Sequence, residues 1–311
     1  MIDQASKTVF HALAGSSSLK QLASRYGMRR RGSFARRFIA GETVDEAIDA
    51  ARAIEASGLM HTLDYLGESV RTMAEADAAA RAYRRIIERI VAAGVGRNIS
   101  LKLTQLGLNV DRATCVDNLR RVLDAATPHE FFVRIDMEDS SYTDITLDIF
   151  ETIWQQGYRN VGVVVQSCLR RTIDDVRRLN ALGARTRLVK GAYKEPKQVA
   201  YQRKAEVDAA FVEGMQLLLA EGTYPAIATH DPAMIEATRA FAAERGIARD
   251  AFEFQMLYGI RRDLQSALNA AAYLVRVYVP FGREWFPYFM RRLGERPANI
   301  GFVIRGIVRE R

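Results

Sequence analysis

From Gly58 onward the chain alternates two hydrophobic patterns. Short runs of β-branched, aromatic and aliphatic residues are separated by longer segments in which apolar residues recur at helical spacing. The short runs are LMHTLDYLG (59–67), NISLKL (98–103), FFVRIDM (131–137), VGVVVQ (161–166), RTRLVKG (185–191), YPAIATH (224–230), FEFQMLYG (252–259) and LVRVYVPFG (274–282). Segments such as AEADAAARAYRRIIERIVAAG, TDITLDIFETIWQQG, TIDDVRRLNALG and KAEVDAAFVEGMQLLLAEG lie between them, each closing on glycine, the usual helix stop. Strands recur roughly every 23 to 41 residues, the size of a βα unit. Eight strands alternating with helices over about 250 residues predict an α/β fold of the (β/α)8 TIM-type barrel class. An open doubly wound sheet would need a glycine-rich phosphate loop after an early strand. The nearest stretch, AAGVGRNIS, precedes a strand and lacks the third glycine, and no GxxxxGK[ST] occurs. Residues 1–57 predict a polar, helical N-terminal segment packed on the barrel of residues 58–311, with a capped helix start at ETVDEAIDAARAIEASG.

A barrel strand is covered on both faces, so charged positions in it are expected at the C-terminal mouth, where barrel enzymes build their sites. The polar strand positions are Lys102; Arg134, Asp136 and Glu138; Gln166; Arg187 and Lys190; Thr229 and His230; Glu253 and Gln255; and Arg276 and Tyr278. Period-2 counting puts Arg134 with Asp136, and Arg276 with Tyr278, on common faces. Arg134 and Glu138 can equally be a pair within the rim. His230 lacks metal-ligand spacing, so no metal is expected. Lys190 has the position of a Schiff-base lysine in an aldolase-type barrel. The late segment YFMRRLGERPAN (288–299) is sharply amphipathic: Tyr288, Arg291, Arg292 and Glu295 share one helix face, and Phe286, Phe289, Met290 and Leu293 the other. By itself that spacing describes a solvated face with an Arg291–Glu295 pair.

Composition changes this picture little. The 311 residues are 49% hydrophobic and 26% charged, ordinary for a globular protein. The net charge of +8 and the stretch RYGMRRRGSFARRF (25–38) fit an anionic ligand, an anionic membrane surface or nucleic acid. A nucleic-acid module would leave the barrel unexplained. Cys115 and Cys168 have no CxxC spacing, which fits a reducing compartment. With neither a signal-type apolar region nor a spanning run, the chain is expected to be cytoplasmic, or peripheral at the inner face of the cytoplasmic membrane.

The segments RIDMEDS, VVVQSCLRR, RLVKGAYKEP, ATHD, FEFQMLYG, VRVYVPFG and YFMRRLGERPAN, in this order over about residues 60–305, resemble those of the proline dehydrogenase family. The chain's size is similar to that of its stand-alone bacterial members. The resemblance implies a barrel holding FAD non-covalently and oxidising L-proline to Δ1-pyrroline-5-carboxylate. Hydride would pass from proline C5 to flavin N5 and electrons to a quinone, as the first step of proline catabolism to glutamate. It also implies that the last helix lies over the barrel mouth. Carried over by motif, Asp136 and Arg187 are the catalytic candidates. Lys102, Leu257, Tyr278, Tyr288, Arg291, Arg292 and Glu295 are the substrate-binding ones. Met137, Gln166, Arg187, Lys190, Gly191, Ala192, Thr229 and His230 are the FAD contacts, and Tyr193 matches a tyrosine of the same loop. Expected partners are L-proline and a membrane quinone. Peripheral membrane contact and a downstream pyrroline-5-carboxylate dehydrogenase are further candidates; nucleic acid is not expected. Two positions depart from the common pattern: Lys194, where an aromatic residue often follows GAY, and Asp231, often Asn. A tyrosine at 288 implies preference for proline over hydroxyproline.

Overall fold

The structure, a computed structural model, describes residues 33–295. Eight parallel strands close into a barrel in sequence order: β1 (Met60–Tyr65), β2 (Asn98–Leu101), β3 (Phe132–Ile135), β4 (Val161–Gln166), β5 (Arg185–Val189), β6 (Ala226–Ala228), β7 (Glu253–Leu257) and β8 (Leu274–Phe281). Closure is direct: β1 pairs with β2 through Leu63 beside Ile99, and with β8 through Thr62 beside Tyr278. Each of the eight predicted runs contains one of these strands.

The helices are α1 (Val44–Glu55), α2 (Met73–Ala93), α3 (Arg112–Ala126), α4 (Thr143–Gln155), α5 (Thr172–Ala181), α6 (Lys204–Glu221), α7 (Pro232–Glu244), α8 (Arg262–Ala270) and α9 (Trp285–Glu295). Local sequence sets several starts. Thr43 with Glu46, and Thr72 with Glu75, form capping boxes at α1 and α2. Asp111 caps α3 by accepting from the Thr114 amide at 2.7 Å.

Strand alternation divides the interior in two. Leu63, Ile99, Val133, Val163, Leu188, Ile227, Phe254 and Val277 join the helices in the main apolar core. The residues between them fill the barrel and are largely polar: Thr62, Asp64, Ser100, Arg134, Arg187, Glu253 and Gln255 are all buried. Apolar burial outside the barrel holds it together, while the lumen is filled by hydrogen-bonded and ionic contacts.

A second, smaller apolar cluster lies at the mouth. Phe286, Tyr288, Phe289 and Met290 of α9 pack on Phe38 and Ile39, on Leu66 after β1, and against Ile260 after β7. Phe286, Phe289 and Met290 are the apolar face anticipated for the last helix, turned onto the mouth, whereas Tyr288, expected on the polar face, is buried with them because its ring is largely apolar. Phe38 and Ile39 follow the short 3-10 turn Phe34–Arg37, which therefore helps seat α9. The seat also needs Gly259. At φ +72° a side chain there would be strained, and its Cβ would run into the Arg37 carbonyl oxygen. Residues 1–32 of the anticipated N-terminal segment lie outside the described residues.

Candidate active site

The polar lumen separates into a mouth cluster and a floor cluster. At the mouth, side chains from five strands meet. Arg187 on β5 donates to Asp136 Oδ1 at 2.7 Å and to Ser100 Oγ of β2 at 3.1 Å. Tyr278 on β8 donates to Asp136 Oδ2 at 2.6 Å, and the Arg187 guanidinium lies 5.4 Å from the Tyr278 ring centre. Lys102, just past β2, has its ammonium 3.7 Å from Asp64 Oδ2 of β1 and 4.0 Å from Asp136 Oδ2. Ser100 Oγ also lies 3.3 Å from Thr62 Oγ1.

Burial controls the charges here. It pushes Lys102 toward the neutral form, but Asp64 and Asp136 more than offset this, so its ammonium is held above the ordinary lysine range. Burial raises Asp64, partly countered by Lys102 and reinforced by Asp136. Tyr278 is pushed well above the usual phenol range by burial, then by the two carboxylates, and so stays a hydrogen-bond donor. Burial pushes the thiols of Cys115 and Cys168 each up to about 12, which disfavours the thiolate.

The last helix closes over this cluster. Arg291 donates to Glu68, in the loop after β1, at 2.6 and 3.3 Å. The Glu68 carboxylate holds the guanidinium charged against burial, which pulls the other way. Arg291 thus pairs with a residue from another element; the anticipated pair with Glu295 involves a side chain outside the described residues. Arg292 sits 5.1 Å from the centre of the Tyr288 ring, which is itself buried in the cluster that seats α9. The α9 helix reaches Glu295, whose side chain lies outside the described residues. Tyr193 faces the same space, with its phenol pushed up to about 12 by burial against the pull of Lys102 and Arg291.

Around the rim lie the other candidates. Gln166 donates to the Glu138 carbonyl at 2.9 Å, tying the end of β4 to the end of β3. His230 Nε2 accepts from the Leu257 amide at 2.9 Å, so Nδ1 carries the proton of the neutral ring, and β6 is tied to β7. Met137 is buried, whereas Gly191 and Ala192 are exposed. Gly191 has φ +102°, and a Cβ there would collide with Cys168 Sγ, so only glycine lets this loop lie flat against the turn after β4. Thr229 Oγ1 accepts from the Asp231 amide at 3.1 Å. Lys190 donates to Asp208 at 2.5 Å and Asp231 at 2.7 Å.

Three of the polar strand positions belong elsewhere. Arg134, Glu253 and Arg276 form the floor, at the N-terminal end of the strands. Arg276 meets Glu253 through two contacts of 2.8 Å and donates to the His61 carbonyl at 2.9 Å. Arg134 donates to the carbonyls of Val163 and Arg185 and stacks 4.7 Å from the Phe132 ring centre. It does not pair with Glu138, which instead accepts from Thr104 Oγ1 at 2.7 Å. Period-2 counting gives the correct face for Arg134 and Arg276 but not the height along it. Sequence reasoning also passed over Asp64 and Glu68. A carboxylate two positions after Thr62 within a buried strand was a legible signal for Asp64; nothing local marks Glu68.

Lys102 and Arg291, which both act on Tyr193, bring two cations to one mouth, an arrangement suited to an anionic ligand. The profile of the family described as Proline dehydrogenase matches residues 47–305. The chain belongs to the proline dehydrogenase family. It is similar to Proline dehydrogenase 1 of Bacillus subtilis (strain 168), at 41% identity over 97% of this chain and 99% of that one. It is also similar to Proline dehydrogenase of Deinococcus radiodurans, at 40% identity over 99% of this chain and 100% of that one. Among solved structures it resembles proline utilization A (PutA) from Bdellovibrio bacteriovorus inactivated by N-propargylglycine. There the TM-score is 0.79 at 27% identity, over 84% of this chain and 32% of the larger protein. The family's barrel architecture and the one described above agree.

Proposed function

We propose that the chain oxidises L-proline to Δ1-pyrroline-5-carboxylate, the first step of proline breakdown toward glutamate. The coarser statement, an oxidoreductase acting on proline, rests on family membership. Non-covalent FAD at the barrel mouth would supply N5 as acceptor for the hydride leaving proline C5, and would release the electrons to a quinone. Met137, Gln166, Arg187, Lys190, Gly191, Ala192, Thr229 and His230 would hold it. Two features fit such a group. Arg187 Nε is buried with no hydrogen-bond partner among the described residues. Gly191 and Ala192, in the loop after β5, are exposed, with no side chain larger than a methyl.

The observation that carries the substrate reading is the meeting of Lys102, Asp136, Arg187 and Tyr278 beneath the helix that bears Arg291. A buried carboxylate needs paired donors. Lys102, Arg291 and Arg292 would provide them, each charge-assisted bond contributing about 1.5–3 kcal/mol net. Glu295 would orient the arginines, with Tyr278, Leu257 and Tyr288 walling the ring. Asp136, accepting from both Arg187 and Tyr278, fixes the two donors that flank the reacting carbon, so positioning carries much of the rate. Arg187 would also favour negative charge developing on the electron acceptor. The arginine-dense stretch 25–38 would meet the anionic lipid surface where quinone resides. Among the described residues no helix is long and apolar enough to cross a membrane.

One titration tests the reading. The purified protein should be yellow, and anaerobic L-proline should bleach its flavin. A protein unable to bind FAD, or a bound flavin indifferent to proline, overturns it. Replacing Arg291 by Met should raise KM for proline at least tenfold with FAD content unchanged; an unaltered KM would return α9 to a merely solvated face.

A further inference from the structure

Lys190 is held more tightly than contact with a cofactor would require. It lies just past β5; Asp231 lies past β6, and Lys204 and Asp208 lie on the first turns of α6. Its ammonium donates to Asp208 Oδ1 at 2.5 Å and to Asp231 Oδ2 at 2.7 Å. Lys204 contacts the same two carboxylates, Asp208 at short range and Asp231 at 3.2 Å. Each aspartate therefore bridges both lysines, and the quartet of two ammonium and two carboxylate groups carries no net charge. Asp231 is also anchored by its other oxygen, which accepts from the Ala233 amide at 3.1 Å and caps α7. The hydrogen bond from Lys190 is the leading reason that the Asp231 carboxyl is lowered to about 2.

Stability is a weak reason for the second lysine, because Lys204 is exposed and exposed ion pairs contribute ~0–1 kcal/mol each, whereas Lys190 and both aspartates are half-buried. An ammonium has three N–H donors. Two of those on Lys190 are taken by carboxylates from different elements, so the direction of the third is fixed. A cap at position 231 does not require a charge either, since Asn caps as well as Asp. What the second aspartate does uniquely is to cancel charge beside Lys190.

We propose that Asp231, with Asp208, is a positioning residue that aims Lys190 at the flavin and offsets its charge, holding the flavin's reduction potential down. The proposal rests on the FAD reading of the mouth. Its sign follows from electrostatics: a cation near the ring favours the reduced, more negative form, and a neighbouring carboxylate weakens that preference. Removing the carboxylate while keeping the cap should raise the potential, and removing the ammonium should lower it.

The test is the midpoint potential of the flavin in the purified holoenzyme and in Asp231→Asn, Asp208→Asn and Lys190→Met, measured by spectroelectrochemistry without proline. Asp231→Asn should favour reduction about tenfold, an upward shift of about 30 mV for a two-electron couple. Asp208→Asn should shift it the same way, and Lys190→Met the opposite way. Thermal melts of each variant report any loss of fold separately. Upward shifts in both aspartate variants establish the charge-offsetting role. Potentials unchanged within threefold, or lowered, in both variants while FAD remains bound overturn it and leave the proline-oxidation reading intact. A wild-type protein that binds no FAD overturns both.

Discussion

The Asp136 carboxylate joins the two donors of the mouth, and its removal tests the site as a physical unit. Asp136→Ala takes the acceptor away from Arg187 at 2.7 Å and from Tyr278 at 2.6 Å. Both partners are buried: Arg187 is 4% exposed and, among the described residues, keeps only the Ser100 hydroxyl as an acceptor, at 3.1 Å. Removing one member of a buried ion pair costs about 3–5 kcal/mol, because the remaining charge is left unpaired. One effect runs the other way. Asp136 helps to push Asp64 up, so its loss relieves repulsion between the carboxylates and lets Lys102 pair with Asp64 alone. The expected net destabilisation is therefore at the lower end, about 3 kcal/mol, roughly a hundredfold in the unfolding equilibrium. Equilibrium urea denaturation of Asp136→Ala, Arg187→Met and the double variant measures it. The double-mutant cycle should return a coupling of about 2 kcal/mol, since the partner's loss no longer strands a charge. A coupling under about 0.5 kcal/mol would refute the pairing, whatever the single variants do to activity.

Three further outcomes follow from other parts of the barrel. Glu253→Gln leaves the floor guanidinium of Arg276 without its carboxylate; it should destabilise the fold by about 3–5 kcal/mol, with KM for proline unchanged in the folded fraction. Gly259→Ala should displace the segment after Phe34–Arg37 from the mouth, because φ is +72° and the new Cβ meets the Arg37 carbonyl; limited proteolysis should then cut near residues 33–40 faster. His61 is buried and its pKa is lowered by burial, so the folded state resists protonating it. Below pH about 6.5 the unfolded chain binds the proton that the fold refuses, so stability present above that pH is lost as pH falls. The melting temperature should decline from pH 7 to pH 5, and His61→Phe should flatten that decline.

How much of this was legible in the sequence depended on the range of the interaction concerned. Strand runs and capped helix starts are encoded within a few residues, and so VGVVVQ and the threonines with glutamate three positions later are readable without a partner. Inward faces are also local: Thr62, Asp64, Arg134 and Asp136 follow period 2. Height along the barrel is not local, because it depends on the stagger between strands. Arg134 and Asp136 share a face, yet one contacts the start of β5 and the other meets Tyr278 near the mouth. Pairing across elements is less legible still. Nothing in the spacing along the last helix shows that Arg291 reaches Glu68, 223 positions away. In the quartet only Lys204 and Asp208 are i,i+4 neighbours; no sequence pattern joins them to Lys190 and Asp231.

This contrast explains why the last helix reads so differently alone and in place. Its apolar stripe is an ordinary burying face, and burial of Phe286, Phe289 and Met290 supplies most of its adhesion. What makes the helix part of a site is the location of that buried surface. Phe38, Leu66 and Ile260 come from three separated stretches of chain and meet only where β1 and β7 end. Once they fix the helix there, Arg291 is half-buried, is drawn to Glu68 and lies close enough to Tyr193 to perturb it, as Lys102 does from below. Arg291 is therefore held at the mouth by apolar contacts that do no chemistry. Weakening those contacts should loosen the substrate's grip before it unfolds the barrel.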